Sequence, residues 1–191
     1  NRVYNKSKID DMIEFSKNQI PYQLYNNAMD FYSNDEFNKA LELLNKISYK
    51  DDIDLDYKIK SIKYIIADKM ISDFNDTHES YSTDYKIQHY RDIIDISPKI
   101  RDKVNKRLSL LYLEKGDYLL INNNHDEAYE FYMYSKTTGQ YNPERIKIKL
   151  SNLITSILND AYNFLEKKED ILAYEKLFFA KNIAIDNNEY I

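Results

Sequence analysis

Few side chains in this sequence come in the types and spacings that perform chemistry. The histidines are His78, His89 and His125. None stands in a His-Glu-x-x-His arrangement, which holds zinc with two imidazoles on one helix face, and there is no cysteine to add a thiolate. They read as ordinary surface or loop residues. Asp52, Asp54 and Asp56 alternate like the first ligands of a calcium loop. The glycine position of such a loop holds Tyr57, and the closing glutamate position holds Lys63. The three acids read instead as the acidic start of a long helix, where carboxylates meet the positive end of the dipole. Asn5-Lys6-Ser7 and Asn75-Asp76-Thr77 are glycosylation sequons by pattern only. Phosphate-cradling loops need clustered glycines, and the two glycines are Gly116 and Gly139. No catalytic set, metal site or cofactor site is expected, and the chain reads as a non-enzyme.

Charge is distributed unevenly. Residues 51–98 carry a net −5, residues 99–150 a net +3 and residues 151–191 a net −3. The basic excess lies in Lys99, Arg101, Lys103, Lys106 and Arg107, and again in Arg145, Lys147 and Lys149. Both clusters fall near the expected N-termini of long helices, where each cation opposes the dipole by roughly 0.3–1 kcal/mol. Helix stability therefore does not explain them. On neighbouring helices they would form one basic stripe for an acidic partner segment or an anionic membrane surface. The alternative is a solvated face with pairs such as Asp102–Lys106. The net charge of −5 for the whole chain argues against a nucleic-acid binder. No apolar run approaches the ~20 residues of a membrane span. The sequence begins at Asn1 rather than Met, so it reads as a fragment, with the presence of an upstream signal or anchor left open.

The elements that must position these residues are helices. With 191 residues and 43% hydrophobic side chains, the chain is one domain or one repeat array. Two glycines and three prolines are too few for the turns of a many-stranded sandwich or barrel. Leu55, Ile59, Ile62, Ile66 and Met70 form one stripe at helical spacing, and Ile154, Ile157, Leu158, Ala161 and Leu165 form another. Nine helices are expected, at about 5–19, 21–33, 35–48, 53–72, 83–96, 98–121, 125–137, 143–165 and 169–186. Pro21 and Pro98 are placed at helix starts, and Asn142-Pro143-Glu144 reads as an N-cap. Ser72–Thr83 reads as the one substantial loop. The 19 tyrosines go with an excess of Ile, Lys, Asn and Asp, all residues with A/T-rich codons.

A spacing recurs. Leu24, Ala28, Phe31, Ala40, Leu44 and Ile47 are separated by 4, 3, 9, 4 and 3 residues. Tyr112, Gly116, Leu119, Ala128, Tyr132 and Ser135 repeat it, as do Ile157, Ala161, Phe164, Ala173, Leu177 and Ala180. Each copy has a small residue in its first helix and a small residue, alanine, opening the second, so two helices can approach closely. Together with the turn segment Asn34–Ala40, this resembles the tetratricopeptide repeat. The resemblance implies an all-α solenoid of antiparallel hairpins at about 21–50, 53–97, 98–140 and 143–187, behind a capping helix in 1–20. The steps from Ala40 to Ala128 to Ala173 give a period of about 44 residues, ten beyond that family's usual length.

In that family the inner helices line a concave groove. The corresponding positions here are Tyr22, Tyr25, Met29 and Tyr32, then Leu113, Asp117 and Leu120, then Leu158, Tyr162 and Leu165. The lining suits an apolar segment of a partner protein, with tyrosines as anchors, unless these side chains pack against neighbouring helices. The implied function is a non-catalytic protein–protein interaction scaffold. Its rivals are a self-assembling module packing through Phe178, Phe179 and Ile183, and a surface binder using Lys99–Arg107. Composition and repeat type also resemble the tetratricopeptide-like envelope proteins of spirochaetes, which implies a cell-envelope location and an envelope partner.

Overall fold

The computed structural model describes residues 6–48, 52–77, 80–138 and 143–187. His78, Gly139, the Asn5 sequon and the proposed N-cap Asn142 lie outside them. Among the described residues the fold is all-helical, with no strand. The helices are α1 Lys6–Ser33, α2 Phe37–Lys46, α3 Ile53–Thr77, α4 Thr83–Ile96, α5 Arg101–Ile121, α6 His125–Thr137, α7 Pro143–Glu166 and α8 Asp170–Asp186. A short 3-10 turn, Pro98–Ile100, precedes α5.

Two expected boundaries are corrected. The separate helices at 5–19 and 21–33 are one helix, α1, with Pro21 inside it. Proline removes the hydrogen bond to the carbonyl four residues back, here that of Lys17. Residues 7–20 are all exposed, so that carbonyl lies in a segment open to water. This part of α1 does not cover the core as a cap would: Ile9, Met12, Ile13 and Ile20 are between 42% and 63% exposed. The expected loop from Ser72 is also shorter, because α3 runs on to Thr77. Ile71 and Phe74, three residues apart on one face, are buried and hold that extra turn.

The chain divides into two compact units, residues 1–77 with 92–100 and residues 78–91 with 101–191. In the first unit α1 pairs with α2, and both touch α3. Its core is built on Ala28, Ala40, Leu44, Leu55, Ile59 and Ile66. In the second, α5 pairs with α6 and α7 with α8, and α6 packs on α7. Its core joins Leu119, Ala128 and Tyr132 to Leu150, Leu153, Ile157, Ala180 and Ile183. Ile146, Ile148 and Leu150 alternate with lysines as a strand would, but Ile148 is helical and 59% exposed, so that alternation is the edge of a helical stripe.

The recurrent spacing corresponds to a recurrent backbone. In each pair of helices one residue turns into the left-handed region: Asp35 (φ 59°), Asn123 (φ 58°) and Lys168 (φ 62°). The next residue's N–H returns to a carbonyl five positions back: Glu36 to Phe31 at 3.0 Å, Asn124 to Leu119 at 2.9 Å and Glu169 to Phe164 at 2.9 Å. That is a Schellman ending, which satisfies carbonyls left open by the first helix. The same residue's carbonyl then accepts from the conserved-spacing alanine, Ala40, Ala128 or Ala173, each at 3.1 Å, which starts the second helix. The small residues that flank each turn are buried: Ala28 with Ala40, Gly116 with Ala128, and Ala161 with Ala173.

Candidate functional site

The positions assigned to a groove have different environments. On α1, Tyr22, Tyr25, Met29 and Tyr32 fall on one face at spacings of 3, 4 and 3. Tyr22 is 42% exposed and its phenol donates to the Asp52 carboxylate. That bond holds the Asp52 carboxyl below the usual carboxylate range and pushes the Tyr22 phenol up. Asp52 also accepts from the N–H of Leu55 at 2.9 Å, capping α3. Asp56 pairs with Lys60 at 2.7 Å. The acidic run is thus spent on the start of a helix. Tyr25, Met29 and Tyr32 are half-buried against the core of the first unit, and the Tyr32 ring lies 6.0 Å from that of Phe37.

On α5, Leu113 is a core residue, 2% exposed, and offers a partner no surface. Its assignment to the groove is corrected: burial among α6 and α7 residues, not exposure, accounts for its apolar side chain. Asp117 accepts from the Tyr132 phenol at 2.9 Å on one oxygen and from Lys149 at 2.5 Å on the other. Burial, then the bond to Asp117, drives the Tyr132 phenol far above its ordinary pKa. Leu120 and Leu158 are half-buried against the same core. On α7, Tyr162 and Leu165 are open, at 65% and 44% exposure.

The basic residues have different environments. Lys99 lies in the 3-10 turn of the first unit, and Arg101, Lys103, Lys106 and Arg107 are exposed on α5. Arg145 and Lys147 are exposed on α7, but Lys149 is paired with Asp117. Asp117 stands ten residues, about 15 Å of helix, beyond Arg107. Lys149 therefore neutralises a carboxylate well along α5.

Arg107 instead borders a cleft between α4 and α5 of about 400 Å³, lined by Lys86, Tyr90, Arg107, Leu110, Leu111 and Glu114. The Arg107 guanidinium donates to the Tyr90 phenol at 3.4 Å, and Glu114 accepts from Thr83 at 2.9 Å. Lys115 pairs with Asp84 at 2.7 Å beside it. Arg91 donates to the Tyr112 phenol at 3.0 Å and lies over the Tyr112 and Tyr134 rings. Beside Glu114, whose carboxylate accepts from Thr83, the cleft offers two cations and two leucines, so a carboxylate carried beside an apolar group meets a net charge of +1 from its lining.

Sequence reasoning missed two polar contacts in the second unit. His125 is not a surface residue: it is 2% exposed, with Nε2 3.0 Å from Ser156 Oγ and Nδ1 3.6 Å from Asp160. Burial lowers its pKa, against the opposing pull of Asp160. A signal for this was present, because His125 stands three residues before Ala128, as the core-packed Phe37 stands three before Ala40. Ser109 and Ser135 are both fully buried and join α5 to α6, their hydroxyls 2.8 Å apart and each bonded to the other's carbonyl. Of the end-hairpin residues, Phe178 is 52% exposed, while Phe179 packs on Tyr129 and Ile183 is buried.

No helix among the described residues is long and apolar enough to cross a membrane. No group of three or more potential metal-ligating side chains gathers among them. No protein-family model, curated protein or solved structure matches this chain.

Proposed function

We propose that the chain is a non-catalytic protein-interaction scaffold, a tetratricopeptide-like array of antiparallel hairpins that holds a segment of a partner protein against its inner helices. The shared six-residue spacing, the shared left-handed turn and the small residues where helices meet support the array. The observation that carries the binding assignment is the ridge of Leu158, Tyr162 and Leu165 on α7. Most apolar residues of that helix are in the core, yet Tyr162 and Leu165 stand in water at 65% and 44% exposure. Large apolar side chains left open side by side mark interaction surfaces, and tyrosine is a favoured anchor there. The Lys86–Arg107 cleft adds recognition of an acidic residue on the partner.

The test is capture of the native partner from source-cell lysate with wild-type chain and with Tyr162→Ala/Leu165→Ala. Both side chains are exposed, so the variant keeps its fold. Loss of capture is expected, and Arg107→Ala should weaken capture and reduce its salt dependence. Undiminished capture by the double variant would place the binding surface elsewhere.

A further inference from the structure

The first part of α1 is a second surface, independent of the inner-helix face. Residues 7–20 are all exposed, yet they carry Ile9, Met12, Ile13 and Ile20 along one side of the helix. Ile9, Ile13, Ser16 and Ile20 are spaced 4, 3 and 4 residues apart, the seam of a two-helix coiled coil. Met12 and Lys17 border this seam, and the six residues line one open apolar trough. Such a face needs a second helix, and its charges say which one.

With Ile9 and Ser16 at d and Ile13 and Ile20 at a, Asp10 and Lys17 both occupy e positions. In an antiparallel pair, e positions face e positions. Placing Ile9 against Ile20 of the second copy, and Ile13 against Ser16 of the second copy, brings Asp10 opposite Lys17 of the second copy. The two-fold axis then makes the reciprocal pair, Lys17 with Asp10 of the second copy. A parallel pair would stack Ser16 on Ser16 and leave Asp10 and Lys17 without opposite charges across the seam. The overlap in the antiparallel register spans residues 6–23, and it ends where Leu24 begins to pack on the core. The segment is therefore complementary to itself in charge, apolar register and length.

We propose that this chain forms a homodimer through antiparallel pairing of the N-terminal halves of α1. The interface is isologous, as a two-fold dimer requires. Two heptads make a short seam, so the dimer is reversible with concentration.

Sedimentation of the chain between about 1 and 500 µM, a range chosen for a weak interface, should show a monomer–dimer equilibrium. Ile13→Asp should abolish it with an unchanged circular dichroism spectrum, since Ile13 is 47% exposed and holds no core together. Asp10→Lys and Lys17→Asp should each weaken dimerisation about tenfold by setting like charges opposite one another. The double variant Asp10→Lys/Lys17→Asp should recover it, and a mixture of the two single variants should form the heterodimer. Because the chain has no cysteine, Ile13→Cys and Ser16→Cys chains can also be mixed, and the mixed disulfide should form faster than either homodimer's. A monomer throughout the range overturns the proposal. So does a dimer that survives Ile13→Asp, or charge reversals that the double variant does not repair.

Discussion

Gly116 on α5 faces the ring of Tyr132 on α6 so closely that a Cβ at Gly116 would lie 2.5 Å from Tyr132 Cε1. The ring cannot easily withdraw. Tyr132 is fully buried, and its hydroxyl is tied to Asp117 at 2.9 Å. In the other two copies the corresponding positions hold Ala28 and Leu44, and Ala161 and Leu177, with Leu44 buried and Leu177 40% exposed. Glycine is here the partner of a large ring.

Gly116→Ala should therefore destabilise the chain by about 1–3 kcal/mol in urea unfolding, the usual range for overpacking. This reverses the gain of up to about 1 kcal/mol expected for alanine in an open helix. Tyr132→Leu alone should lose about 2–4 kcal/mol through a cavity and the lost hydrogen bond to Asp117. On that background Gly116→Ala should become neutral or stabilising. A coupling energy near zero between the two sites would refute the contact.

Asp117 and Lys149 should respond unequally. Lys149→Ala removes one partly exposed ion pair and should lose less than about 1 kcal/mol. Asp117→Ala also strands the buried Tyr132 hydroxyl and should lose about 1–3 kcal/mol. Equal losses in thermal or urea unfolding would contradict the shared-acceptor arrangement.

Protonation of His125 should destabilise the fold. Its pKa in the folded chain lies below the ordinary imidazole value, chiefly through burial. The unfolded chain then takes up the proton first as pH falls. Stability is fully present above about 6.5, the unfolded value, and declines as pH drops through the window down to the folded value. His125→Phe, which copies Phe37 at the equivalent place, should flatten that part of the profile. Asp160→Asn removes the charge that opposes the shift and should lower the imidazole pKa further, as read by NMR titration of the ring proton.

The three left-handed turn residues should differ in their tolerance of glycine. Asparagine and aspartate adopt this conformation more readily than lysine does. Lys168→Gly should raise stability by roughly 0.5–1 kcal/mol, more than Asn123→Gly or Asp35→Gly. A melting-temperature ranking of the three variants tests this. A loss at Lys168 would show that its side chain contributes something glycine cannot replace.

Helical periodicity was legible because it is local: stripes such as Leu55, Ile59, Ile62 and Ile66 bury one face at 3.6 residues per turn. The recurrent spacing was legible for the same reason. In all three turns a helix end, one left-handed residue and a helix start fall within a nine-position step, and their hydrogen bonds reach no farther than five positions. Two of the open groove positions, Tyr162 and Leu165, could be read as exposed only through register, and Leu113 was misread by the same means. Whether an apolar residue on a helix faces a groove or a neighbour depends on which helix lies against it, and spacing along one helix carries no such information.

Tertiary structure alone decided the rest. It left the part of α1 before Pro21 open to water instead of folded over the core as a cap. It sank His125 between Ser156 and Asp160, residues more than thirty positions away. It paired Lys149 with Asp117, thirty-two positions away. The physical reason is common to all three: backbone conformation is set by neighbours in sequence, whereas burial and charge pairing are set by neighbours in space.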